Sequence, residues 1–195
     1  MRIGIIGAGR LGTMLSRQLA LAGHEVSLCG LLVARTMRGV SAFADVAIVA
    51  VPFDHHRELP VAELAGKPVI DATNYDPVLD GPTPDLDDGC LTSSDLVQSH
   101  LITAYVVKAF NAIGWEHLRD HAHREPHREP RRAIPVAGDD LRAKKTAMAL
   151  ASEIGFAPVD VGGLNDGGRK CQPGTDVFGA DLTADDLRAR LHLTT

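Results

Sequence analysis

Near the N-terminus a short apolar run, Ile3, Ile5 and Ile6, stops at Gly7-Ala8-Gly9-Arg10-Leu11-Gly12, and Leu11, Met14, Leu15 and Leu19 then recur at helical spacing until Gly23. The pattern reads as strand, tight turn and amphipathic helix in immediate succession. A G-x-G-x-x-G in that setting is the fingerprint of a dinucleotide-binding turn. Gly7 allows the turn, Gly9 lets the backbone approach a pyrophosphate without a Cβ in the way, and Gly12 lets helix and strand pack closely. The helix start offers free N–H groups and the positive end of its dipole to the anion, and Arg10 adds charge. The plainer reading is a glycine-rich turn that binds nothing; the position between strand and helix argues against it.

Glu25 to Cys29 reads as a second strand, so the first thirty residues form a βαβ unit. Further strands are predicted at Val46 to Val51, Pro68 to Ala72, Ala104 to Phe110, Ala133 to Ala137 and Ala157 to Val161. Strands alternating with helical or loop stretches specify an α/β fold built on a doubly wound parallel sheet. A helix is predicted over about 140–154, with Leu141, Ala147, Leu150, Ala151 and Ile154 on one face and Asp139 or Asp140 as its cap. From Gly162 onward the chain reads as glycine-rich and irregular before a last helix at Ala184 to Leu191. The length of 195 residues suits one domain, residues 1–164, with a C-terminal tail, 165–195, that docks on the domain or on a second subunit.

With 20 Lys and Arg against 25 Asp and Glu the formal charge is −5. No basic stripe is concentrated anywhere, which argues against nucleic acid or an anionic membrane as partner. No apolar stretch reaches the roughly 18 to 20 residues that span a bilayer, and the start lacks a leader-like apolar segment. A cytoplasmic location is expected. Cys29, Cys90 and Cys171 are widely spaced and are expected to be reduced thiols. A tandem His-Arg-Glu-Pro repeat at 123–130, with His117 and His121 nearby, carries too few further ligands to suggest a metal site, and none is expected.

At the end of the second strand an NAD-type site would carry an acid for the ribose hydroxyl, but Cys29-Gly30-Leu31 stands there. Arg35 and Arg38 lie just beyond and could meet a 2′-phosphate, which points to NADP(H); surface charge is the bland alternative. Other candidates sit where strands end: Val51 and Pro52, Asn74 after Asp71-Ala72-Thr73, and Ala109, Asn111 and Ile113 around Phe110. Asn74 and Asn111 can hydrogen-bond a carboxamide, ribose or carbonyl without titrating, and Ile113 can press on a flat ring. Each could equally be a strand-end turn residue.

Several segments in order, Ile5 to Gly12, Ala50-Val51-Pro52, Asp71 to Asn74, Val106-Val107-Lys108-Ala109-Phe110-Asn111-Ala112-Ile113, Val136 to Asp140 and Pro158 to Leu164, resemble the NADPH-dependent reductases of the deazaflavin coenzyme F-420. The same module resembles the reductase domain of the STEAP metalloreductases. The resemblance implies a Rossmann domain holding NADP(H), with the nicotinamide near Asn111 to Ile113, a deazaflavin or flavin against it, and a homodimer. Asn111 and Ile113 would then position nicotinamide and acceptor, with no acid/base dyad required. Two departures stand out. Only Gly30 to Ala44 separate the second strand from the strand ending in Val51-Pro52, where the family places a helix, a strand and a further crossover. The tail is also shorter than the apolar helical segment that closes related proteins. Reduction of a small imine or keto acid, and a nucleotide sensor or degenerate domain that catalyses nothing, are the competing readings.

Overall fold

The computed structural model describes residues 1–30, 34–123 and 130–193. Seven strands, β1 (Arg2–Ile6), β2 (Glu25–Cys29), β3 (Val46–Val49), β4 (Pro68–Asp71), β5 (Tyr105–Lys108), β6 (Ala133–Gly138) and β7 (Ala157–Gly162), form one sheet in the order β2-β1-β3-β4-β5-β6-β7. The described helices are α1 (Arg10–Leu21), α2 (Ala34–Phe43), α3 (Val61–Leu64), α4 (Pro84–Asp87), α5 (Ser93–His100), α6 (Trp115–His121), α7 (Leu141–Glu153), α8 (Leu164–Arg169) and α9 (Ala184–Arg190), with a 3₁₀ turn at Phe53–Glu58. All the strands predicted from sequence form, and α7 starts on Asp140, whose carboxylate accepts the N–H groups of Arg142 and Ala143. The sheet is the Rossmann-like one expected, with a difference at one end: β1 to β5 are parallel, but β6 runs antiparallel to β5 and carries β7 with it.

The alternation within each strand explains why the sheet is covered on both faces. In β3, Val46 and Ile48 join a core with Ile3, Ile5, Leu15 and Leu150. Ala47 and Val49 join the opposite one with Ile6, Met37, Leu64 and Val97. The short connection after β2 has a structural counterpart. Among its described residues it carries one helix, α2, which packs on β1 and β2 and leaves β2 at the sheet's edge.

The tail packs against β6 and β7. The Arg132 guanidinium, 3% exposed, donates to the carbonyls of Gly179 and Ala180, and Val159, Val161, Cys171, Val177 and Leu187 form a third apolar cluster. The stretch after Gly162 corrects the irregular reading, because Leu164–Arg169 is helical. Its glycine serves proximity: a Cβ on Gly167 would stand 2.9 Å from both the Ala137 Cβ and the Val161 carbonyl oxygen. Residues 124–129, six of the eight in the His-Arg-Glu-Pro repeat, lie outside the described residues, while His117 and His121 stack on α6 with centroids 5.4 Å apart.

Candidate functional site

The parallel strands β1 to β5 all end on one edge of the sheet, where ligands of open α/β folds bind. At β1 the three fingerprint glycines have three different surroundings. Gly7 adopts φ +123° and a Cβ there would lie 2.2 Å from the Ala50 carbonyl oxygen. A Cβ on Gly12 would lie 1.9 Å from the Gly7 carbonyl oxygen, so the close approach of helix and turn excludes any side chain. A Cβ on Gly9 would meet nothing within 4 Å. Two glycines are thus demanded by the fold itself, whereas the third faces open space at the start of α1.

That helix start has no side-chain cap and no acid in its first turn. Its first N–H groups therefore remain available, the condition for receiving an anion. Ala8, Gly9 and Arg10 are exposed and Leu11 packs partly against the core. The Arg10 guanidinium lies over the Trp115 ring at 5.5 Å, and Arg119 reaches the same ring at the same distance.

At β2, the Cys29 carbonyl accepts the Gly7 N–H at 2.8 Å. The Cys29 thiol is 3% exposed and burial pushes its pKa up, so it offers backbone rather than reactive sulfur. Gly30 is exposed beside Ala8. Arg38 faces Glu63 of α3 at 3.7 Å. The Arg35 side chain lies outside the described residues. At β3, Val51 is buried, and exposed Pro52 opens the 3₁₀ turn in which Phe53 stacks on His56 at 4.5 Å.

The ends of β4 and β5 are joined by charge. Lys108, 2% exposed, places Nζ 3.1 Å from Asp71 Oδ2 and donates to the Thr73 carbonyl at 2.5 Å and to Ser93 Oγ at 3.3 Å. Asp71 is fully enclosed, accepting Ser94 Oγ on one carboxylate oxygen and the Thr73 N–H on the other. Burial alone would raise its pKa, but the Lys108 charge and the hydrogen bonds from Ser94 and Thr73 outweigh it and hold the carboxyl below its usual range.

Beyond Lys108, Ala109 is buried and Phe110, 1% exposed, adopts φ +63°. A bulky side chain in the left-handed region is a strained conformation imposed by its surroundings. Asn111 follows at 3% exposure. Its Nδ2 donates to Asn74 Oδ1 at 3.1 Å and to the Cys171 carbonyl at 2.9 Å, while its own carbonyl accepts Asn74 Nδ2 at 2.9 Å. Ile113 is 5% exposed and lines a small apolar cavity with Ala112, Pro135 and Val177.

The structure therefore brings Asn74 and Asn111 into direct contact and sets the glycine turn on the same sheet edge. It sets Ile113 in the core and Arg38 against α3. Sequence reasoning did not single out Lys108, Asp71 and Cys171 as parts of this region. The available signal was a Lys and an Asp of opposite charge, each at the end of an otherwise apolar strand.

Residues 2–75 match the family model described as NADP oxidoreductase coenzyme F420-dependent. Metalloreductase STEAP3 of Rattus norvegicus is 28% identical over 178 residues, covering 84% of this chain and 34% of that protein, so the chain spans about a third of the length of that curated relative. A hypothetical protein from Sinorhizobium meliloti has the same fold with TM-score 0.75 and 28% identity, covering 94% of this chain and 95% of that one. A candidate F420-dependent NADP-reductase from Arthrobacter sp. FB24 shares the fold with TM-score 0.65 and 21% identity, covering 84% and 86% of the two chains. Pyrroline-carboxylate and imine reductases share it more distantly, at 12% and 14% identity. The family resemblance seen in the sequence is thus supported by an independent family model over residues 2–75 and by a curated relative, and the fold by solved structures. Among the described residues no helix is long and apolar enough to cross a membrane.

Proposed function

We propose that this chain, whose residues 2–75 match the F420-dependent NADP oxidoreductase family, is an NADP(H)-dependent oxidoreductase that exchanges a hydride with a deazaflavin or flavin acceptor. The observation that carries the reading is the contrast among the fingerprint glycines: Gly7 and Gly12 are required by backbone contacts, but Gly9 opens onto free space at an uncapped helix start. A fold that needed only a turn would tolerate a side chain at Gly9. Bound NADP(H) supplies or accepts the hydride, so this chain's residues have to bind, orient and exclude water rather than transfer protons.

Gly7 to Gly12 and the N–H groups of α1 would hold the pyrophosphate, with Arg10 close by. Cys29 and Gly30 flank the adenosine side, where Arg35 and Arg38 are the candidate partners of a 2′-phosphate. Val51 and Pro52 border the middle of the cleft, and Asn74, Ala109 and Asn111 lie toward its far end. Val78 and Leu79, 87% and 81% exposed, project from a turn just after Asn74. That turn is secured by the Asp76 and Asp80 carboxylates, which accept the N–H groups of Val78 and Asp76. Two apolar side chains held out to solvent on this edge suit the cover of a flat acceptor ring.

The test is a titration with NADPH and NADH followed by a search for hydride exchange with coenzyme F-420 and with free flavins. Saturable NADPH binding with exchange supports the reading. Binding without exchange favours a nucleotide sensor, and absence of binding shows that the edge position of β2 has removed the adenosine pocket. A homodimer and a cytoplasmic location belong to the same proposal. Light scattering at twice the monomer mass is the expected result for the first, and fluorescence microscopy of a tagged chain in its host checks the second.

A further inference from the structure

We propose that the free edge of β2 is the surface on which a second copy of this chain pairs, strand against strand and antiparallel, about a two-fold axis at Ser27. The inference rests on the homodimer reading above and names its interface.

The sheet ends at β2 on one side and at β7 on the other, and the two edges are built differently. β7 contains Pro158, which has no N–H, and exposed Asp160; its register with β6 shifts near Ala137, and α9 packs against it. Such features keep an edge from pairing with another chain. β2, Glu-Val-Ser-Leu-Cys, has no proline, no lysine and an unbroken register with β1. Its backbone directions are fixed by that ladder: the Glu25 N–H donates to the Met1 carbonyl, and the Cys29 carbonyl accepts the Gly7 N–H. Residues 25, 27 and 29 therefore bond toward β1, whereas Val26 and Leu28 direct their N–H and C=O groups outward. Among the described residues no strand lies beyond them to receive those groups.

A second copy fits this edge because the strand complements its own inverse. Full antiparallel overlap sets Ser27 opposite the partner's Ser27. Val26 then pairs with the partner's Leu28, and Leu28 with the partner's Val26, each pair exchanging both backbone bonds. Val26 and Leu28 are half-buried against the core that holds Leu15, so their outer flanks meet as apolar cross-strand pairs. Glu25, the one charge in the strand, falls opposite the partner's Cys29 rather than against a like charge. Nothing bulky overhangs the edge. α1 packs on β2 and turns Arg10 toward Trp115 of α6, and its opposite flank carries the small residues Thr13, Ser16 and Ala20. The C-terminal tail, by contrast, spends its apolar side chains on its own β6 and β7.

The experiment is light scattering on the full chain, wild type beside Val26→Pro, with a thermal melt of each. The proline removes an outward N–H and leaves the ladder to β1 intact. The melt should stay cooperative while the mass falls from twice the monomer to the monomer. Ser27→Cys, in a Cys90→Ser background that removes the exposed native thiol, sets two thiols face to face across the axis. Facing residues of a non-hydrogen-bonded antiparallel pair have Cα atoms about 4.5 Å apart, within the roughly 4.4–6.8 Å that a disulfide bridges. Oxidised glutathione should therefore convert most of this variant to a covalent dimer that a thiol reductant reverses.

A dimeric wild type with a folded, monomeric Val26→Pro supports the edge pairing, and the covalent dimer of Ser27→Cys decides the matter if Val26→Pro does not fold. A dimer that survives in folded Val26→Pro, or a Ser27→Cys chain that does not cross-link, overturns the edge pairing and leaves the homodimer to another surface. A monomeric wild type overturns the edge pairing and the homodimer together, with the nucleotide reading untouched.

Discussion

Lys108 Nζ lies 3.1 Å from Asp71 Oδ2, with the two side chains 2% and 0% exposed. Removing one partner leaves the other charge buried and uncompensated, at a cost of about 3–5 kcal/mol. Asp71→Asn should therefore lower the urea midpoint strongly, and Lys108→Met likewise. The double variant should be less destabilised than the sum of the two, and a double-mutant cycle would expose that coupling. The pair also sets a pH dependence. The folded-state pKa of Asp71 is held below its usual value, so its stabilisation is fully present above the unfolded carboxylate pKa of about 3.9 and is lost as pH falls below it. Urea melts of wild type and Lys108→Met between neutral pH and the acid limb should converge as acid protonates Asp71.

The glycine turn separates folding from binding. Gly9→Val points into free space, so the variant should melt close to wild type while losing NADPH affinity. Gly12→Ala drives a methyl toward the Gly7 carbonyl and should destabilise the fold by about 1–3 kcal/mol, as overpacking does. Thermal melts beside nucleotide titrations check both. Wild-type affinity in Gly9→Val would remove the pyrophosphate from this turn.

How far the sequence foretold these features depends on how local their causes are. The fingerprint, the Asp140 cap and the strand positions are written in neighbouring residues, and each is where the pattern put it. The antiparallel β6 was not legible because strand direction depends on which edge the chain returns to. The helix at Leu164–Arg169 was hidden by its own glycines, which read locally as irregular chain although Gly167 is set by a contact with Ala137 and Val161. Phe110 gave no warning of a positive φ, since nothing in a phenylalanine favours that region. The Asp71–Lys108 pair is a contact 37 residues apart in the chain, visible beforehand only as two misplaced charges.

Trp115 is the single tryptophan of the chain, and Arg10 stands over its ring. Reduced nicotinamide absorbs where tryptophan emits, so NADPH binding at the glycine turn should quench Trp115 emission. Arg10→Ala should weaken NADPH binding by about twofold to fivefold, the range of an exposed charge contact, and flatten its dependence on salt. A quench of unchanged midpoint and salt response in Arg10→Ala would show that Arg10 serves only the Trp115 contact.

Val78 and Leu79 offer the clearest way to separate the acceptor from the nucleotide. Their side chains are mostly in water, and the turn beneath them is held by backbone hydrogen bonds to Asp76 and Asp80. Replacing both with Asp should leave the melting temperature and the NADPH dissociation constant close to wild type. If the pair covers a flat ring, the lost apolar contact should raise the KM for the deazaflavin or flavin by about tenfold or more. Because the substitution adds negative charge, its effect on an anionic deazaflavin should exceed its effect on neutral riboflavin, whereas the apolar loss acts on both. Comparing the two acceptors therefore distinguishes contact from charge. Unchanged KM for both would mean that the acceptor approaches from another side of the sheet edge.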